Sequence, residues 1–199
     1  MADLKSILGV ALANISKING VAIASVKSWD GVTLPSGFNW ETIFTYTTNA
    51  TATLVTNWVG AAISTSPNVP ALIPDEGKPV IVTPGTTFNG KTTLTNCYIN
   101  ANVAFVANSM TDAFRSCSNL IEVDLIPDSV TNMAYTFYSC TNLVGDITVV
   151  NANVTNFTNC FYGCNASLAK TLYCPTGSAS YNLAINVSNG INGVTVIAY

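Results

Sequence analysis

The sequence predicts a mostly β chain, with an amino-terminal β-repeat segment, a β-rich middle and a short solenoid of about three coils at the carboxyl end. Three observations carry this prediction. Residues 4–36 repeat every 11 positions around a glycine. Residues 38–65 are rich in threonine, β-branched and aromatic side chains. From residue 114 onward a phenylalanine and a cysteine recur together every 23 or 24 positions, each pair followed by a leucine.

In register, the first segment reads LKSILGVALAN, ISKINGVAIAS, VKSWDGVTLPS, with glycine at Gly9, Gly20 and Gly31 and valine after each. Asn19-Gly20 and Asp30-Gly31 are tight-turn pairs because both residue types tolerate positive φ. The flanking short apolar runs read as a small β-meander. A helix of 11-residue period is disfavoured by one glycine per repeat. Residues 1–36 form a candidate docking segment, with Ile18, Val21, Ile23, Trp29 and Val32 as the side chains for the contact. The opening MADLKSILGVALAN holds a short apolar run and an Ala-Leu-Ala triplet, but Asp3 cancels Lys5, and a cleaved leader is not expected.

The middle segment, 37–88, begins with FNWETIFTYTTNATATLVTNWVG, whose composition suits strands. It continues into SPNVPALIPDEGKPVIVTPG, which holds Pro67, Pro70, Pro74, Pro79 and Pro84. Proline removes a ladder donor and fixes φ, so this stretch reads as a linker or irregular packed loop and marks the best domain boundary.

Residues 89–199 hold the second repeat. Phe114, Phe137 and Phe161 share their spacing with Cys117, Cys140 and Cys164, and Leu120, Leu143 and Leu168 follow it within a residue. Met110, Met133 and Phe157 precede each phenylalanine by four. Leu120-x-x-Val123-x-Leu125 recurs as Leu143-x-x-x-Ile147-x-Val149 and Leu168-x-x-x-Leu172-x-Cys174. A period of 20 to 29 with this pattern marks a leucine-rich solenoid, each coil placing one short strand on a shared sheet. The stretch MTDAFRSCSNLIEVDLIPDSVTNMAYTFYSCTNL, with VTNFTNCFYGC, resembles the cysteine-bearing leucine-rich repeats of BspA-like bacterial surface proteins over about residues 100–180. TLYCPTGSASYNLAI is similar to the cap that ends such arrays, although it continues into NVSNGINGVTVIAY rather than a typical helix. Separately, ISKINGVAIASVKSWDGV resembles amino-terminal stretches of phage tail, fibre and head-decoration proteins.

Composition narrows the function. Only 9% of the 199 residues are charged, about a third of the usual share, and the formal net charge is −3. Seven Lys+Arg scattered along the chain form no basic stripe, which excludes a nucleic-acid partner. No apolar run reaches the 18 or so residues of a membrane helix. Low charge together with abundant Thr, Asn and Ser predicts a homo-oligomer or a subunit buried in an assembly.

Six cysteines and no histidine leave four readings for the repeated thiols. Packing is favoured, because a cysteine is a small, soft hydrophobe that fits a tight turn. Coils about 4.8 Å apart bring stacked thiols near disulfide range. Side chains projecting in parallel seldom meet the bond's geometry, however, and Cys160, Cys164 and Cys174 are the more plausible partners. Zinc would need a second cysteine pair at ligand spacing, and a catalytic thiolate would need a base.

Glu122 and Asp124 alternate with Val123 and Leu125 and so face outward. Aligning the coils on Val123, Ile147 and Leu172 adds Asp146 to them, making a small acidic corner with no cleft for hydrolytic work. Gly85-x-x-x-x-Gly90-Lys91-Thr92 matches the phosphate-loop pattern, but the β-branched, Asn-rich continuation offers no helix to receive phosphate, and an Asn89-Gly90 hairpin turn is expected. Tyr135, Tyr138 and Tyr162 flank the phenylalanine marks and suit contact with a protein, a carbohydrate or another subunit.

These readings point away from an enzyme and from any cofactor or metal. The expected function is that of a phage virion structural protein, such as a head fibre, decoration or tail-appendage subunit. Its amino terminus would dock to capsid or tail proteins, and its solenoid would meet a host-surface protein or glycan or shield the particle. The alternative is a bacterial cell-surface adhesin.

Overall fold

In the computed structural model, the described residues are 44–58, 79–99, 103–188 and 190–199, together with short strands at 17–18, 21–22, 28–29, 32–33 and 68–69. The chain is mostly β and winds into a parallel β-solenoid of about five turns, with one short α-helix among the described residues.

The first described elements are four two-residue strands. β1 (Lys17–Ile18) pairs antiparallel with β2 (Val21–Ala22), and β3 (Ser28–Trp29) with β4 (Val32–Thr33). Ile18 lies opposite Val21 and Trp29 opposite Val32, while the expected turn pairs Asn19-Gly20 and Asp30-Gly31 lie outside the described residues. Ile23 lies outside the described residues, and so does most of the proline-rich stretch.

The solenoid starts with a hairpin, β5 (Phe44–Thr48) against β6 (Thr53–Trp58). The Asn49 side-chain oxygen accepts from the Thr51 and Ala52 amides at 2.8 and 3.0 Å, which closes the turn. From β6 onward the pairing is parallel. β8 (Val80–Val82) lies between β6 and β10 (Ala104–Phe105). β9 (Asn96–Ile99) lies between β7 (Asn68–Val69) and β11 (Glu122–Val123). β12 (Leu125–Ile126), β13 (Gly145–Val149), β14 (Lys170–Cys174) and β15 (Val194–Ala198) follow one another in a four-stranded sheet. Coiling therefore begins upstream of residue 89, within the middle segment.

One apolar core runs through the coils. Phe88, Phe114, Phe137 and Phe161 stack with ring centroids 5.2, 5.6 and 5.4 Å apart, and Phe44 meets Phe88 edge-on at 6.3 Å. Each such pair adds about 0.5–1.5 kcal/mol beyond its burial. Met110, Met133 and Phe157 form a second buried column beside them. Lys91 stands three residues after Phe88, where the later coils carry cysteine. Its ammonium donates to Asn57 Oδ1 at 2.7 Å.

Opposite the strands, each coil bends through successive turns in which an amide donates three residues back: Ala113 to Met110, Cys117 to Phe114, Leu120 to Cys117. The bends need left-handed backbone at repeating positions, Asp112, Tyr135 and Asn159 in one column and Ser116, Ser139 and Gly163 in another. Amides of one coil donate to carbonyls of the next, Met110 to Asn132, Phe114 to Thr136, Met133 to Asn156 and Phe137 to Cys160.

Polar side chains stitch the same joints. Thr131 donates to Asn108 O, Thr141 to Ser118 O and Thr155 to Thr131 O, at 3.3, 3.2 and 3.0 Å. Asn119 reaches Thr92 O at 2.7 Å. Part of the Thr and Asn content thus serves the joints between coils.

The last coil differs from the others. Helix α1 (Ala179–Val187) replaces the turns, with Ser178 as its N-cap accepting from the Tyr181 amide at 3.0 Å. The helix lies in the cap sequence itself and ends at Val187, and in the stretch that follows 194–198 adds β15 in parallel with β14. Gly193 is required where it stands, because at φ +76° a Cβ would lie 2.5 Å from the Leu168 carbonyl oxygen.

Candidate binding face

Because Phe114, Phe137 and Phe161 point inward at a bend, the residue after each projects outward. Those residues are Arg115, Tyr138 and Tyr162. The guanidinium carbon of Arg115 lies 4.7 Å from the Tyr138 ring centroid, and the Tyr138 and Tyr162 rings stack at 5.2 Å and 22°. Tyr138 is therefore half-buried between a cation and a second ring, while Tyr162, 58% exposed, ends the column. Tyr135 flanks it, 5.9 Å from Tyr138 and 5.8 Å from the Arg115 guanidinium. Asp112 pairs with Arg115 at 3.1 Å and balances its charge. Asp112, Tyr135 and Asn159 repeat one above another at the left-handed position, so the face has two parallel columns.

Of the residues singled out from sequence, Tyr135 and Tyr138 belong to this face and Glu122 and Asp124 do not. Arg115 and Asp112 were not foreseen, although both share the register of the tyrosines at 23 residues.

The expected acidic corner does not assemble as drawn. Ile147 pairs with Leu172 and Asp146 with Thr171, as aligned, but Thr148 pairs with Leu125, one residue beyond Asp124. Val123 and Ile126 are the buried pair in this coil, so an extra residue lies between them and Leu125 is only half-buried. Asp124 is drawn back toward the preceding coil, where its Oδ1 accepts from the Ile99 amide at 3.1 Å. Burial raises its pKa, with nearby Glu122 adding to the effect, and the Ile99 amide works against both. Glu122 accepts from Asn96 at 3.4 Å.

The cysteines are structural. All six are free and buried. Cys117, Cys140 and Cys164 each donate a thiol hydrogen to the carbonyl of the preceding coil's phenylalanine, Phe88, Phe114 and Phe137, at 2.9, 3.0 and 3.1 Å. Burial pushes the Cys117 thiol up to about 12 and Cys164 and Cys174 to about 11, and raises Cys97, Cys140 and Cys160 as well. At neutral pH these are protonated thiols, the opposite of what a nucleophile or metal ligand needs.

Leu168 departs from its column. Leu120 and Leu143 are fully buried, whereas Leu168 is half-exposed, and the buried position nearby is taken by Lys170. The Lys170 ammonium donates to the carbonyls of Asn165, at 2.9 Å, and Leu168. Burial lowers its pKa, with the neighbouring Cys164 pulling the other way.

The phosphate-loop look-alike is a coil bend. Val80–Val82 is a strand, but turns follow it and Phe88 enters the core. The expected hairpin is absent as well, since β8 and β9 each pair in parallel with other coils.

No family model and no curated protein matches the chain. Two solved structures are similar to it, and both are leucine-rich repeat proteins. The T. pallidum leucine-rich repeat protein TpLRR is 20% identical, with a TM-score of 0.49, and the match covers 70% of this chain and 72% of that one. A leucine-rich repeat protein from Bacteroides ovatus is 19% identical, with a TM-score of 0.47, over 77% of this chain and 36% of that one.

Proposed function

We propose that the chain is a non-enzymatic binding module, in which a rigid stack of coils holds the Arg115–Tyr138–Tyr162 column against a partner. The observation that carries this reading is the column itself. Its members are set at one-coil intervals by the buried Phe114–Phe137–Phe161 stack, so a mobile, rotamer-rich surface is replaced by a pre-ordered one. Pre-ordered aromatic and arginine side chains are the residue types on which interfaces concentrate their energy.

We place the module on a phage particle, with residues 1–36 docking to capsid or tail proteins and copies of the chain grouped together. The support is the amino-terminal repeat and its likeness to phage appendage proteins. The second reading, a bacterial surface adhesin, rests on the coil repeat. Immunogold labelling of particles and cells from the source culture separates the two. Gold on particles is the expected result, and gold confined to cell envelopes overturns the particle setting in favour of the adhesin.

A further inference from the structure

We infer that the Tyr135–Tyr138–Tyr162 face binds a neutral glycan chain, with one sugar ring lying on Tyr162. This rests on the reading of the face as a binding surface and names its ligand.

Charge comes first. Arg115 is the one cation among the six repeated outward positions, and Asp112 at 3.1 Å and the Tyr138 ring at 4.7 Å already satisfy it. A face balanced in this way gives a polyanion or an acidic peptide no net attraction.

Shape comes second. The rings stand on the outside of a bend, and Tyr162 is more than half exposed. Peptide recognition by hot spots buries an aromatic or arginine anchor in a desolvated pocket, which a ring standing proud of a bend does not provide. A pyranose needs less enclosure, because its C–H face can lie flat on an exposed ring while its hydroxyls bond to polar groups around the rim. Tyrosine offers an apolar body and a polar tip for that purpose. Asp112, Asn159 and Ser139 lie at the neighbouring left-handed positions of the same bends and supply donors and acceptors for the rim.

Periodicity comes third. Tyr135 and Asn159 repeat one position, and Tyr138 and Tyr162 repeat the other, one coil apart. Positions set at regular steps along an axis can offer a chain ligand polar contacts beyond the one ring on Tyr162. In this arrangement Tyr162 is the stacking residue. Tyr138 is a positioning residue, clamped between Arg115 and Tyr162 so that the platform does not turn.

The test applies the full chain to an array of neutral glycans, acidic glycans and purified bacterial surface proteins. Wild type is compared with Tyr162→Ala, Tyr162→Phe and Glu122→Gln, with thermal unfolding as the check on folding. The expected result is retention on neutral glycans of three or more units, reduced about tenfold or more by Tyr162→Ala. Tyr162→Phe, which keeps the ring, and Glu122→Gln, which lies off the face, should leave retention within about twofold. Tyr162-dependent retention on acidic glycans or proteins alone overturns the neutral-glycan assignment and leaves the binding face standing. Retention on nothing, or retention indifferent to Tyr162→Ala, overturns both.

Discussion

The middle coils and the last coil solve the same problem in different ways. Between residues 103 and 164 each coil finds its partners in the next one: stacked rings in the core, thiols and threonines donating to the preceding coil's carbonyls, amides donating forward. Identical residues can therefore recur, because their surroundings recur. After residue 164 the neighbour is of another kind. There a helix stands in for the bend, Leu168 leaves the interior, and the Lys170 ammonium holds carbonyls at the corner. Repetition is a consequence of having neighbours, and the sequence loses its period where the neighbours change.

Alkali should act most strongly on the buried thiols of the middle coils. The thiols' folded pKa values are raised above the ordinary value of 9.0, to about 11 or 12 for Cys164, Cys174 and Cys117. Above pH 9 the unfolded chain loses protons that the folded chain keeps, so the stability they provide is complete below that pH and falls as pH rises toward 11–12. Each thiol contributes up to about 1.4 kcal/mol per pH unit in that window. Lys170 has the opposite sign, since burial lowers its pKa, but it is one group against six cysteines. The urea midpoint should fall steeply between pH 8 and pH 10.5, and Cys140→Ala should make that fall shallower. A midpoint flat with pH would refute the buried-thiol stack.

Next in size is Phe137→Ala, which removes the ring between Phe114 and Phe161. A loss of about 3–5 kcal/mol is expected by urea denaturation. Lys170→Met should cost less, about 1–3 kcal/mol, because it keeps the apolar stem and deprives the Asn165 and Leu168 carbonyls of their donor. Its effect should appear as faster proteolysis of the last coil, with the middle coils still protected. The smallest effect is that of Tyr162→Ala, outside both regimes, which removes an exposed ring stacked on Tyr138 and should cost no more than about 1 kcal/mol.

What the sequence made legible was whatever repeats in register. The phenylalanine, cysteine and methionine columns could be read directly, as could the pairing of Ile147 with Leu172. One more coil was present in the same letters. Phe88 and Leu94 are six apart, just as Phe114 and Leu120 are, but a spacing of 26 and Lys91 in the cysteine's place hid them behind a glycine pattern that suggested phosphate. The extra residue between Val123 and Ile126 could not be seen either, because Leu125 and Ile126 are equally apolar and only packing decides which turns inward. On the binding face, the tyrosines were visible as aromatics beside the anchors. Arg115 was not, since what joins it to them is a distance across coils.

The forward-donating amides carry a last consequence, which concerns length. When Phe114 donates to Thr136 and Phe137 to Cys160, the joint at the bend recurs unchanged, while the strand side absorbs an odd residue, so the column of rings grows or shrinks in whole coils. A single added residue in a bend would shift the left-handed positions and rotate a phenylalanine out of the core. Duplicating a whole coil such as 131–153 would extend the column of rings by one step of about 4.8 Å and leave the two ends unchanged. The outward reach of this protein is thus quantised, and related chains would be expected to differ by integer numbers of coils.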